Sequence, residues 1–100
     1  GFGGLVDLGE KDRAVEWAER SLAIDGDNAD TLYNLACGFA IMGESDQALD
    51  YLERAGLQGV MIAEWAEHDS DLDALRDNPR FGAILEELRA RKARVDADNR

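Results

Sequence analysis

Leu32, Leu35, Ala36, Phe39 and Ala40 recur at intervals of three and four residues, so they draw one apolar stripe along a helix. Ala48, Leu49, Leu52 and Ala55 draw the same stripe on the next segment. Small Ala36 and Ala48 let the two axes approach closely, and Phe39 and Leu52 fill the volume that remains. Gly43 stands where the first helix must stop, a position that favours a left-handed residue without a Cβ. Ser45 or Asp46 then accepts hydrogen bonds from the free N–H groups that open the second helix. Part of this unit also occurs 34 residues earlier: Gly9-Glu10-Lys11-Asp12-Arg13-Ala14 overlays Gly43-Glu44-Ser45-Asp46-Gln47-Ala48. Both stretches run on to a Glu-Arg pair, Glu19-Arg20 and Glu53-Arg54. A fixed period of this length predicts stacked helical units.

Beyond Ala55 the pattern changes. Gly56 and Gly59 interrupt it, and residues 60–66 read as a short helix packed on the preceding pair. Asp69 or Ser70 caps a turn of helix through Leu72 and Leu75. Asn78-Pro79 is a start signal, a capping side chain followed by a residue whose missing N–H costs nothing at the first helical position. Phe81, Ile84, Leu85 and Leu88 line one face of this last helix, and past Arg89 the chain turns polar and frays. Stacked units need an end piece with a polar outer face, and this helix fills that role. The expected divisions are an incomplete unit over residues 1–28, a complete one over 29–59, short divergent helices over 60–77, a capping helix over 78–95 and a frayed tail over 96–100. The predicted fold is all-α, an α-solenoid of antiparallel helix pairs closed by a C-terminal capping helix.

The order of large, small, aromatic, Gly, Ala, large and Ala is carried by Leu32, Ala36, Phe39, Gly43, Ala48, Leu52 and Ala55. It resembles the tetratricopeptide repeat (TPR) family over residues 29–55. Leu32 takes the place of a more typical Trp, and Gly56 and Gly59 fall where the family's second helix runs on. Gly9, Ala14, Ala18 and Ser21 fit an earlier unit, with Gly26-Asp27-Asn28 in place of the common Pro-Asn-Asn and Phe2 at a position usually small. The first helix of that unit would begin before residue 1, so the resemblance implies a segment of a longer protein. Residues 71–81 resemble the closing segment of bacterial repeat arrays that follow class III nucleotide cyclases and Ser/Thr kinases. The resemblance thus implies a TPR-like superhelix acting as a protein–protein interaction scaffold, the C-terminal regulatory or localising region of a multidomain bacterial signalling protein. The alternative is a module that oligomerises its parent chain and has no separate peptide ligand.

Composition narrows the partners. One hundred residues with 45% apolar content suffice for one thin, two-layer helical domain. Residues 1–75 hold 17 acids and 4 bases, a net of −13, whereas residues 76–100 hold 5 acids and 7 bases, a net of +2. An acidic body repels phosphate backbones, which argues against nucleic acid. The surplus either serves solubility or selects a basic peptide or helix. Arg89, Arg91, Lys92 and Arg94 are too few and too mixed with acids for a nucleic-acid arm; they are expected to place cations near a helix C-terminus, where the dipole favours them. No apolar run is long enough to span a membrane, and the Gly-Phe-Gly-Gly start lacks the regions of a signal peptide. The single cysteine, Cys37, excludes an internal disulfide and fits a reducing, cytoplasmic setting. Nine Arg against two Lys, with abundant Ala and Asp, suit a GC-rich bacterial genome.

No catalytic constellation is legible, and no cofactor is expected. Asp69, Asp71 and Asp73 match the opening of a calcium loop, but the sixth and twelfth places hold Ala74 and Arg80 instead of Gly and Glu. His68 has no second His or Cys at a zinc-ligand spacing, so these side chains read as caps and solvation of a turn. Cys37 needs a nearby base to act as a nucleophile and reads as a small, half-buried filler. Gly1, Gly3 and Gly4 follow no predicted strand, so they form no phosphate loop.

In the TPR family the first helix of each unit lines a concave groove, which assigns Asp30, Tyr33, Asn34, Cys37 and Ile41 to a peptide-binding surface. Tyr33 brings an apolar ring with a polar tip, and the Asn34 amide bonds a peptide backbone through both of its ends. The alternative reading of Tyr33 is packing against the Trp17 helix or the one before it. Some family members clamp a C-terminal carboxylate with Lys, Arg and Asn; Asn34 matches one place, but no Lys or Arg lies between Arg20 and Arg54. Trp17 covers the junction with the next unit or anchors a partner, and Trp65 covers the end of the core near Leu57 and Met61. An incomplete first unit also predicts self-association through Leu5, Val6 and Leu8.

Overall fold

The computed structural model describes residues 2–99, with side chains for residues 12–24 and 26–99. They form five α-helices, α1 (Phe2–Asp25), α2 (Ala29–Ile41), α3 (Ser45–Gln58), α4 (Ile62–His68) and α5 (Pro79–Asp98). A 3-10 helix, Ser70–Leu75, lies between α4 and α5, and no strand occurs among the described residues. The chain is all-α, and no described helix is long and apolar enough to cross a membrane.

Local chemistry sets most of the boundaries. Asn28 accepts from the N–H groups of Asp30 (2.9 Å) and Thr31 (3.2 Å) and so opens α2. At its other end Gly43 adopts φ +81°. Its N–H reaches the Ala40 carbonyl (3.1 Å), and the Glu44 N–H reaches Phe39 (2.9 Å). Those two bonds are a Schellman closure, which a side chain at Gly43 would strain. The cap of α3 is Glu44, so Ser45 and Asp46 fall inside its first turn instead of capping it. Asn78 caps α5 by accepting from the Arg80 N–H (2.9 Å), with Pro79 in the first turn.

Two boundaries depart from the sequence reading. Residues 2–25 form a single helix that runs through Gly9, the position expected to mirror the Gly43 turn. A lone glycine costs a helix only about 1 kcal/mol, and Lys11, a good helix former, stands where Ser45 begins α3. Helix α5 continues to Asp98, past the expected end at residue 95. The Lys92–Asp96 pair at i,i+4 (2.8 Å) supports that extension.

The apolar stripes converge on α2, which packs against α1, α3 and the 3-10 helix, while α5 lies across α3 and α4. Leu32, Leu35, Ala36, Ala48, Leu49, Leu52 and Ala55 are completely buried. Phe81, Ile84, Leu85 and Leu88 of α5 are buried as well, and apart from Tyr33 and Cys37 no described polar or charged side chain is. The extents of 52 × 32 × 17 Å leave room for about two helix layers. Helix α3 runs past Ala55 and through Gly56 to Gln58. A Cβ at Gly56 would meet Leu88 Cδ1 at 2.8 Å and Cγ at 3.0 Å, so the absent side chain lets α5 close onto α3.

Arg80, Arg89 and Arg91 of α5 pair sideways with other helices, and no basic residue sits in the last turn of α5, the place expected for cations from the helix dipole. Arg80 bonds Asp50 (2.6 Å) and Glu53 (3.5 Å) of α3, and Arg89 bonds Glu67 of α4 (2.8 Å). Arg91 donates to the Gly56 carbonyl (3.2 Å), near the negative end of α3. The charge asymmetry of the chain therefore serves to dock its basic end helix on its acidic body.

Candidate functional site

Asp30, Tyr33, Asn34, Cys37 and Ile41 follow a three-and-four spacing on α2, yet the structure separates them by environment. Asp30, Asn34 and Ile41 are exposed, Ile41 at 67%. Tyr33 and Cys37 are buried, at 7% and 8% exposure, where the 3-10 helix and the Asp69 side chain lie over α2, with the Trp65 ring against Tyr33. The burial of Tyr33 follows one reading open to the sequence, packing, but its partners come from the C-terminal side of the chain. Its ring meets Trp65 edge to face, with centroids 5.5 Å apart and planes at 69°. Trp65 therefore sits on Tyr33 of α2 and shares a groove with Met61, as expected, whereas Leu57 lines a different groove with Glu53, Arg80 and Leu88.

Asp69 organises the buried pair. Its Oδ2 accepts from the Tyr33 hydroxyl (2.7 Å) and, at sulfur range, from the Cys37 thiol (3.8 Å). Its Oδ1 accepts from the Asp71 N–H (2.9 Å), so the same carboxylate caps the 3-10 helix. Arg76 holds the loop from below: it donates to the carbonyls of Asp69 (2.8 Å) and Ala66 (3.3 Å), and its Nε bonds Asp73 (2.8 Å). The Tyr33 hydroxyl, followed by the Asp71 N–H, keeps the Asp69 carboxyl below its ordinary range. Burial, reinforced by the Asp69 hydrogen bond, raises the Tyr33 phenol. Burial and then the Asp69 charge push the Cys37 thiol up to about 12.

These shifts decide what the cluster can do. A thiol held protonated at neutral pH is a poor nucleophile. Iodoacetamide at pH 7.5 should accordingly label Cys37 far more slowly than free cysteine, and at the free rate once urea unfolds the chain; prompt labelling of the folded protein would contradict this. The Cys37 sulfur and carboxylate oxygens of Asp69 and Asp71 lie within 4.8 Å of one another. Both Asp69 oxygens already accept hydrogen bonds, and a thiol beside two carboxylates is a mixed soft and hard donor set. The arrangement is a hydrogen-bonded hub that ties α2 to the 3-10 helix.

Two open grooves flank α2. One, of about 220 Å³, is lined by Trp17, Ser21, Ile24, Thr31 and Asn34. Trp17 is half exposed there, its ring lying against Gly38, where an added Cβ would come within 3.1 Å. The other, of about 560 Å³, is lined by Tyr33, Met61, Glu64, Trp65, His68 and Asp69. Of the residues assigned to a binding surface, Asn34 and Tyr33 thus open onto different grooves. Met61, Glu64 and Trp65 were missed as groove residues. Their spacing at the start of α4, with its N-cap Met61 four residues before Trp65, was the available signal. Leu5, Val6 and Leu8 lie outside the residues whose side chains are described. Comparisons with protein-family models, with curated proteins and with solved structures return no match for this chain.

Proposed function

We propose that this chain is a protein-interaction module, a TPR-like stack of antiparallel helix pairs capped by α5, whose α2 surface receives a basic peptide. The observation that carries the reading is the pair of open grooves on either side of α2, each holding a half-exposed tryptophan on an acidic body. Trp is a frequent anchor in interfaces, and a net charge of −11 attracts cationic partners and speeds their encounter. The Schellman turn at Gly43 and the close α2–α3 packing support the hairpin that such a stack repeats. In this reading Asp30, Asn34 and Ile41 contact the peptide directly, and Tyr33 and Cys37 support them from beneath. The resemblance of residues 71–81 to closing segments of bacterial arrays supports the further reading of the module as the C-terminal regulatory or localising region of a signalling protein.

Selection of random displayed peptides on the immobilised chain tests this. Enriched sequences should carry a surplus of Arg and Lys, and Asp30→Lys with Asn34→Ala should weaken their binding about ten-fold or more. No enrichment, or binding indifferent to both substitutions, would overturn it. A second reading, self-association, is favoured by the exposure of Val15, Trp17, Ile24 and Ile41 on α1 and α2. A concentration-dependent dimer in sedimentation velocity, abolished by Ile24→Lys, would replace the peptide reading.

A further inference from the structure

The 560 Å³ groove combines an aromatic ring, an apolar rim and two carboxylates, Glu64 and Asp69. Trp65 is 41% exposed, and its contact with Tyr33 fixes the ring's orientation. Met61, one helical turn earlier, is equally exposed on the same side. Glu64 is exposed beside them, and the Asp69 carboxylate, locked by three donors, stands at the far wall. No arginine or lysine lines this groove. Arg76, whose charge also favours the Asp69 carboxylate, hydrogen-bonds Asp73 and the carbonyls of Asp69 and Ala66, and Lys92, which senses Glu64, bonds Asp96.

We infer that this groove seats one cationic side chain, an arginine or lysine of a bound basic peptide, over the open face of Trp65 and between Glu64 and Asp69. The inference rests on the peptide-binding reading and adds the site and its chemistry. A cation over an indole face is drawn by the ring quadrupole, and an arginine plane can also stack on it. The stem of either side chain lies against Met61, as long cationic side chains cover apolar surface with their methylenes. An acidic or phosphorylated segment would meet two carboxylates and no cation, so the groove rejects it by charge.

Trp17→Phe leaves Trp65 as the sole tryptophan and keeps an aromatic ring against Gly38. In this background the chain is titrated with acetylated, amidated Gly-Ser-X-Ser-Gly, where X is Arg, Lys, Gln or Glu, and the Trp65 indole N–H is followed by NMR. The Arg and Lys peptides should give saturable shifts in the millimolar range, weakened by salt, and the Gln and Glu peptides should give none. Trp65→Ala should weaken the Arg peptide about five-fold, read from α4 amides. Trp65→Leu, which keeps bulk without a π face, serves where the alanine variant unfolds, and Glu64→Gln should also weaken binding. Equal shifts with the Gln peptide, or unchanged Arg affinity in both Trp65 variants, would overturn the assignment. Shifts confined to Asn34 and Ile41 would also remove this pocket while leaving the peptide-binding reading intact; that reading falls on its own test, the failure of peptide selection.

Discussion

Leu35→Ala should destabilise the protein by about 2–5 kcal/mol, while Ile41→Ala, two turns along the same helix, should change stability by no more than about 0.5 kcal/mol. Leu35 is completely buried in the helix against which α1, α3 and the 3-10 helix all pack. Truncation removes its transfer free energy and leaves a cavity that three neighbours cannot all collapse into. Ile41 is 67% exposed and surrenders little packing. Against a total of about 5–15 kcal/mol for a domain of this size, the Leu35 loss should lower Tm by roughly 10–25 °C. Urea denaturation of the two variants beside the parent protein measures both terms. A Leu35 cost below about 1 kcal/mol would mean that α2 is not the centre of the core.

The second large effect belongs to Asp69. Asp69→Ala takes the acceptor from the buried Tyr33 hydroxyl and Cys37 thiol and removes the cap of the 3-10 helix. A hydrogen bond to a charged group contributes about 1.5–3 kcal/mol and a cap typically about 1 kcal/mol, so a loss of roughly 2–4 kcal/mol is expected. A double-mutant cycle with Tyr33→Phe should show the two substitutions to be strongly non-additive. The pH dependence has a definite sign at each end. The Asp69 pKa is depressed in the fold, so its contribution is complete above the ordinary value of 3.8 and is lost as pH falls through the lower folded value. Cys37 and Tyr33 are raised, so their contributions are complete below the ordinary values of 9.0 and 10.0 and are lost as pH rises, for Cys37 through about 12. Stability should therefore be flat between about pH 5 and 8 and fall on both sides. Asp69→Asn should flatten the acid limb, and Tyr33→Phe with Cys37→Ala the alkaline one. An acid limb unchanged by Asp69→Asn would show that this carboxylate is not the group that matters.

Most of the helices were legible because their causes lie within a few residues. The stripe of Leu32, Leu35, Ala36 and Phe39, the glycine at position 43 and the Asn78-Pro79 start each act through nearest turns of the backbone. Where the reading failed, the cause was distant or competing. Gly9 shares the motif of Gly43, but a motif cannot report whether a following helix folds back to reward the break. Gly56 reads as a break in the pattern and is instead a point of close approach to Leu88, 32 residues further along the chain on α5. The candidate surface was divided for the same reason: nothing near α2 in sequence shows that Trp65 and Asp69 will cover Tyr33 and Cys37.

Neighbouring residues alone dictate an all-helical chain, the apolar faces of its helices and the Gly43 turn, since periodicity and backbone preference act over a few positions. The tertiary structure alone decided which faces stay open, that Asp69 binds a phenol and a thiol at once, and that the basic residues of α5 clasp acidic α3 and α4. Those outcomes depend on side chains some 30 residues apart competing for the same surface. Burial then sets their charge state, which no local pattern encodes.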